Sequence, residues 1–344
     1  MTVLKSATTE RGPPGSVVND YAMKGFAMNG FDQPRAQVVR RILVCAWMMV
    51  ALSPPLAIAE KSAVSPGGEA APASSAEAPA LNGSDVTFFG WSDQHVQTNG
   101  DGSHLVPAVE AMNRLPGKKY PERIGGTVAK PAFVFGCGDI TEWPTNAAKK
   151  TYEEMLAKRL KFPAYDIVGN HDEGGQSPSE TIKRWIIARH GGLSYTFDFG
   201  GVHFIALFSK YDEGLNNPAQ PVSAEALDFL LQDLAKTPKD TPVVVALHLC
   251  YDAITNRDAL ADAFGRSNVI LVLGGHYHRS KVDRFRGIPF VQLPSPFKNG
   301  PGHIMVIRIS KDRLVAIPWS YRENRWADRP GLTLDVPIRG PATK

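Results

Sequence analysis

Seven short apolar runs, several of them separated by segments of helical periodicity, set the strongest limit on how this chain folds. They lie at 86–91, 132–135, 165–168, 193–199, 202–208, 243–247 and 269–273. Several are apolar throughout, which suits strands buried on both faces rather than strands with one wet side. Residues 147–160, 179–189, 223–235 and 257–265 carry the three-to-four spacing of helices that cover a sheet. After residue 280 the pattern becomes strands without helices, at 281–293, 303–310 and 313–320. Strand–helix–strand units followed by a β-only section imply an α/β layered domain.

Ahead of this domain stands a different kind of sequence. Arg40-Arg41 precede an 11-residue apolar stretch, 42–52, followed by Ser53-Pro54-Pro55 and Ala57-Ile58-Ala59. A charged start, a short apolar centre, a helix-breaking segment and an A-x-A site make a cleavable signal peptide. A bilayer span needs about 20 apolar residues, so no permanent membrane anchor is expected. The expectation is a leader over 1–59 and an exported mature protein, periplasmic or extracellular. Residues 1–27 sit ahead of the charged start, which makes Met23 or Met28 an alternative first residue. Residues 60–84, rich in Ala, Pro, Ser and Gly, bury too little to order themselves and read as a flexible linker. The folded domain is placed at 85–328, with a loosely packed tail over 329–344 that is rich in Pro and Gly.

Charge excludes one class of partner. Of the net +4, the leader holds six basic against three acidic side chains, leaving about +1 on residues 60–344. No nucleic-acid footprint is present. Of the three cysteines, Cys45 leaves with the leader. Cys137 and Cys250 stay, as two buried thiols or, in an oxidising compartment, a pair; the thiols are the preferred reading.

Five short motifs stand at the C-terminal ends of the expected strands, where open α/β sheets place their sites. They are Asp93-Gln94-His95, Gly138-Asp139, Gly169-Asn170-His171-Asp172, His248 and Gly274-Gly275-His276-Tyr277-His278. In an extended segment residues i and i+2 point the same way, so Asp93 with His95, and His276 with His278, can share one site. Glycines before Asp139, Asn170 and His276 let the chain turn sharply. Asn170 and His171 are adjacent and face different ways, so one can bind metal while the other meets substrate. Each motif alone is weak; five in order, each after an apolar strand, are not.

Their order and spacing resemble the calcineurin-like metallophosphoesterase superfamily over about residues 86–310. The resemblance implies a β-sandwich flanked by helices, in α/β/β/α layers. It also implies two transition-metal ions, with Fe, Mn, Zn and Ni all compatible with mixed nitrogen and oxygen donors. Asp93, His95 and His278 would bind one ion, Asn170, His248 and His276 the other, and Asp139 would bridge them. A metal-bridging hydroxide would attack a small-molecule phosphate mono- or diester, with His171 neutralising charge or protonating the leaving oxygen.

One position departs from better-known branches. Glu142 stands three residues after Asp139, where purple acid phosphatases carry a metal-binding Tyr. Ser/Thr protein phosphatases carry an Asp there, in a longer motif with Arg-Gly. The run 139–144 therefore argues against a tyrosinate-iron site and against the protein-phosphatase branch. Glu142 either orients His171 or is a solvated loop carboxylate. The segment 193–209 resembles a hairpin of the purple acid phosphatase and cyclic-nucleotide phosphodiesterase branches, with His203 structural.

Other residues have plainer readings. His190 ends a helix, where a cation suits the dipole. His303 begins a late strand, and His104 either lines the pocket or packs. Trp143, Tyr251 and Tyr277 stack on an aromatic part of the substrate or fill the core. Arg279 meets a phosphate or is solvated. Two rival functions are a metal- or phosphate-binding module without turnover and a dinuclear hydrolase of non-phosphate esters. The intact ligand set with His171 weighs against the former.

Overall fold

The computed structural model describes residues 85–297 and 299–338. The expected leader and linker lie outside these residues, as does the end of the expected tail.

In chain order the elements are β1 (Val86–Trp91), α1 (Val106–Arg114), β2 (Val134–Gly136), α2 (Asn146–Lys158), β3 (Ala164–Asp166), α3 (Asn170–Glu173), α4 (Thr181–His190), β4 (Tyr195–Phe199) and β5 (Val202–Ala206). There follow α5 (Ala224–Lys236), β6 (Val243–Ala246), α6 (Arg257–Phe264), β7 (Val269–Gly274), β8 (Lys281–Phe285), β9 (Ile288–Gln292), β10 (His303–Ile309), β11 (Arg313–Ser320), β12 (Arg325–Trp326) and β13 (Leu334–Pro337).

The strands form two sheets. One is ordered β12-β11-β10-β1-β2-β3, with β13 on β11; the other is β4-β5-β6-β7-β9-β8. Alternation along the apolar runs decides the layers. In β1, Phe88 meets Phe204 of the other sheet at 5.5 Å, while Trp91 meets Tyr152 of α2. In β6, Val244 and Ala246 join the core that both sheets share, and Val243 and Val245 join the one with α5 and α6. Strands sandwiched in this way need apolar residues at every position, which is why 243–247 reads as unbroken. The result is the expected sandwich of two sheets between helices.

Local chemistry fixes the helix ends. The side chains of Thr145 and Ser223 accept from the Ala148 and Ala226 amides at the starts of α2 and α5. Gly191, at φ 83°, closes α4 in the left-handed region. None of the expected helices falls between 91 and 132, and α1 departs from that expectation. Pro107 sits in the first turn, and Ala108, Val109, Ala111 and Met112 are buried, a face too short to stand out as periodicity.

The expected loose tail is also corrected. Residues 334–337 pair antiparallel with β11, Leu334 is buried, and Asp335 bonds Arg313 through both carboxylate oxygens. An edge strand needs backbone partners more than apolar content, so composition hides it. Among the described residues no helix is long and apolar enough to cross a membrane.

Candidate metal centre

β1, β2 and β3 run parallel, as do β5, β6, β7 and β9. Their C-terminal loops carry all five motifs to one place. Backbone bonds join the first two loops: Asp93 N–H donates to Gly138 O at 2.8 Å and His95 N–H to Asp139 O at 2.9 Å.

Among the described residues three groups of donors each keep their atoms within 4.8 Å: Asp93, His95 and His278; His95, Asp139 and His171; and Asp139, His248 and His276. Asn170 Oδ1 joins the last group, 2.9 Å from His248 Nε2 and 3.1 Å from His276 Nδ1. Asp93, His95, Asp139 and His248 are buried, while Asn170, His171, His276 and His278 are half-buried. The floor is closed and one side is open.

The orientation of the rings suits a cation. His248 Nδ1 faces Cys137 O at 2.7 Å and His276 Nε2 faces Pro218 O at 3.0 Å. A ring nitrogen against a carbonyl carries the proton, so the other nitrogen presents a lone pair. His248 Nε2 and His276 Nδ1 are 3.2 Å apart, both against Asn170 Oδ1. With both rings neutral these are three acceptors without a donor, which repel one another unless a cation, a metal ion or a proton, stands between them. His95 Nε2 and His278 Nε2 meet at 2.9 Å with Asp93 Oδ1 3.5 Å from the latter, so these three atoms also converge on one place. The donor set fits metal ions.

Burial and charge set the proton affinities. Burial pushes His95 down to about 3 and His276 down to about 4, leaving both ready to bind metal. Burial pushes Asp93 up to about 6. His248 is the exception. Burial favours its neutral form, but Asp139, 3.3 Å away, outweighs this and raises it to about 10. Burial likewise opposes ionisation of Asp139, but His248, His171 and His95 hold its carboxyl well below the usual carboxylate range. A metal ion therefore competes with a proton at His248.

The backbone reaches this arrangement by a route that differs from the expected one. Asp93, His95, Asp139, His276 and His278 all have positive φ, between 46° and 73°, so these segments are not extended. They make up five of the eight non-glycine residues in that region among the described residues. Each costs about 1–2 kcal/mol, so strain is concentrated at the site. The i, i+2 partnership survives because sharp turns, not strand alternation, bring the pairs inward. The glycines act partly by making room. A Cβ on Gly275 would lie 1.8 Å from Ser92 Oγ, and Gly138, at φ 88°, would meet His248 Nδ1 at 2.6 Å.

His171 stands beside His95, the two rings 4.7 Å apart, and is held by contacts of its own. Its amide donates to Asp139 Oδ1 at 2.9 Å and its Nδ1 to the backbone carbonyl of Glu142 at 2.8 Å. Glu142 thus reaches His171 by its main chain.

Asp172 is a site residue whose role the sequence reading missed. Fully buried, it accepts from the amides of Ile140, Thr141 and Gly169 and from Thr141 Oγ1, tying the loops after β2 and β3 together. Its place in the Gly169–Asp172 motif was the available signal. Pro218 and Cys137 contribute carbonyls, which no side-chain pattern reveals.

The remaining assignments divide. His203 lies 2.7 Å from both Asp198 and Asp233, a structural bridge between β4, β5 and α5. His190 is corrected: burial lowers it to about 4, and it stacks on Tyr195 at 4.3 Å as a neutral ring rather than a helix-capping cation. His104 Nε2 meets Gln94 O at 2.6 Å, between the first two ligand candidates. Arg279 pairs with Asp252 at 2.6 Å, and Tyr251 packs on Phe290. Cys137 and Cys250 are free, buried thiols.

The family comparison agrees with these motifs. The family model for calcineurin-like phosphoesterases matches residues 105–280, beginning after Asp93 and His95. Serine/threonine-protein phosphatase CPPED1 of Homo sapiens is 25% identical over 60% of this chain and 70% of its own length. The Bos taurus protein of that name is 29% identical over 54% and 61%. That name stands beside a run 139–144 that lacks the Asp and Arg-Gly expected of the protein-phosphatase branch. A solved structure, GAP50 the anchor in the inner membrane complex of Plasmodium, has 16% identity and a TM-score of 0.48, covering 75% of this chain and 90% of that one.

Proposed function

From the premise that this chain belongs to the calcineurin-like phosphoesterase family, we propose that it is an exported, two-metal hydrolase of small-molecule phosphate mono- or diesters. One observation carries the reading: four imidazoles, two carboxylates and one amide oxygen converge, beside a fifth histidine held by the loop after β2. Asp93, His95 and His278 would hold one ion, Asn170, His248 and His276 the second, and Asp139, whose Oδ2 lies 3.3 Å from His248 Nε2 and 3.8 Å from His95 Nε2, would touch both. Such ions, of Fe, Mn, Zn or Ni, supply Lewis acidity toward water and phosphoryl oxygens.

The protein's own groups do the rest. His171 Nδ1 is committed to Glu142 O, so Nε2 is the atom that meets substrate. Its side chain is 32% exposed, and Nε2 lies 4.0 Å from Asp139 Oδ2, at the edge of the proposed metal centre. There it donates a proton to the leaving oxygen or stabilises charge on the phosphoryl group. The left-handed turns at Asp93, Asp139 and His276 hold the donors in place before any ligand arrives.

Metal analysis combined with assays on a generic monoester and diester tests the proposal. Two equivalents of metal with metal-dependent release of alcohol supports it. Metal without turnover of either ester favours the binding module. The export half rests on 40–59 alone. Protein secreted by its native host should begin at Glu60, and an intact leader in the membrane fraction would favour an anchor instead.

A further inference from the structure

On the reading that this site hydrolyses phosphate esters, we propose that the groove over Trp143 is the leaving-group subsite and selects esters whose alcohol carries a neutral planar ring. The groove has a volume of 430 Å³ and lies between the start of α2 and the loop after α3. Its position follows from His171. Trp143 sits 4.8 Å from the His171 ring, so the groove opens on the side where the leaving oxygen takes its proton.

Its chemistry points to the occupant. Trp143 is 43% exposed, a large apolar surface left in water beside a reaction centre. Pro144 extends that surface, while Thr145, Gln176, Ser177 and Ser179 edge it with neutral hydrogen-bonding groups. No charged side chain lines it. An apolar flat face with a neutral polar edge suits a ring that stacks and hydrogen-bonds, and offers nothing to an acidic or basic group. Residue 175 keeps the ring accessible. A Cβ on Gly175 would lie 2.7 Å from Trp143 Cζ3, so a side chain there would press on the ring.

The ring can be bonded directly to the ester oxygen or sit one sugar away, as in a nucleoside. Three monoesters separate these sources: phenyl phosphate, adenosine 5′-monophosphate and glycerol 3-phosphate. In the metal-loaded full chain, Trp143→Ala should lower kcat/KM for a ring-bearing ester by about 3- to 10-fold, the size of one stacking contact. Glycerol 3-phosphate should be unchanged, and Trp143→Phe should restore most of the loss. Whichever ring ester falls further identifies the source. An equal fall for all three would overturn the proposal, because Trp143 would then only position His171. Binding tests the groove without turnover. Phenylphosphonate should bind the wild type more tightly than methylphosphonate, with the preference lost in Trp143→Ala. Equal binding of both phosphonates would overturn the subsite even in an active enzyme. A ring preference without hydrolysis would instead sink the enzyme reading and leave the subsite standing.

Discussion

His171 and Glu142 are joined through the Glu142 backbone, whose carbonyl accepts the His171 Nδ1 proton at 2.8 Å. The carboxylate of Glu142 is not needed for that bond. Glu142→Gln should therefore leave kcat/KM within about twofold of wild type, as surface substitutions generally do. Steady-state kinetics on any accepted ester checks this, and a fall of two orders of magnitude would mean that the carboxylate itself orients His171.

Asp139→Asn and His171→Ala should fail differently. Asp139 lies within reach of donors from both proposed metal sites, so Asp139→Asn should lower metal content and activity together. His171→Ala should keep its metal and lose about 10²–10⁴-fold in rate, the worth of general acid–base help. The loss should be smaller for an ester with a good leaving group. His171 also lies within 4.8 Å of His95 and Asp139, so metal analysis of His171→Ala decides whether it is a ligand instead.

Asp172 accepts four hydrogen bonds while fully buried, two at each carboxylate oxygen. In Asp172→Asn the amide NH₂ must face N–H groups whichever way it turns. The expected cost is about 3 kcal/mol in chemical denaturation, from buried donors left facing donors. The metal sites should loosen as well, since Asp139 and Asn170 sit on the loops that it ties. A variant as stable as wild type would contradict this account.

His203 should make stability depend on pH. Burial opposes its protonation, but Asp233 and Asp198 prevail and raise its pKa above the ordinary value. The folded state therefore holds the proton more tightly than the unfolded one. The contribution is fully present below about pH 6.5, the unfolded value, and fades as pH rises through the raised folded value. Urea midpoints of wild type and His203→Gln, compared from about pH 5.5 to 9, should differ most at the acid end. A constant difference would mean that His203 acts by packing alone.

Much of this molecule was legible in one dimension. Strands buried on both faces leave unbroken apolar runs, so 243–247 and 269–273 announced a covered sheet. The motifs after them implied a metal centre, because five in that order and spacing resemble the metallophosphoesterase superfamily. Short or edge elements were not legible. Val106–Arg114 buries only a small face, and Leu334–Pro337 depends on bonding to β11.

The sequence by itself determined which atoms are available to metal and where along the chain they stand. The tertiary structure alone decided how they are held. Strand alternation suggested that Asp93 and His95 share a face, yet left-handed turns bring them together, with His95 N–H bonded to Asp139 O 44 positions away in the chain. The proton positions on His248 and His276 are set by the carbonyls of Cys137 and Pro218. Every residue has a carbonyl, so sequence cannot mark the ones that matter. Side-chain chemistry is written locally, whereas backbone partnership exists only once distant segments have met.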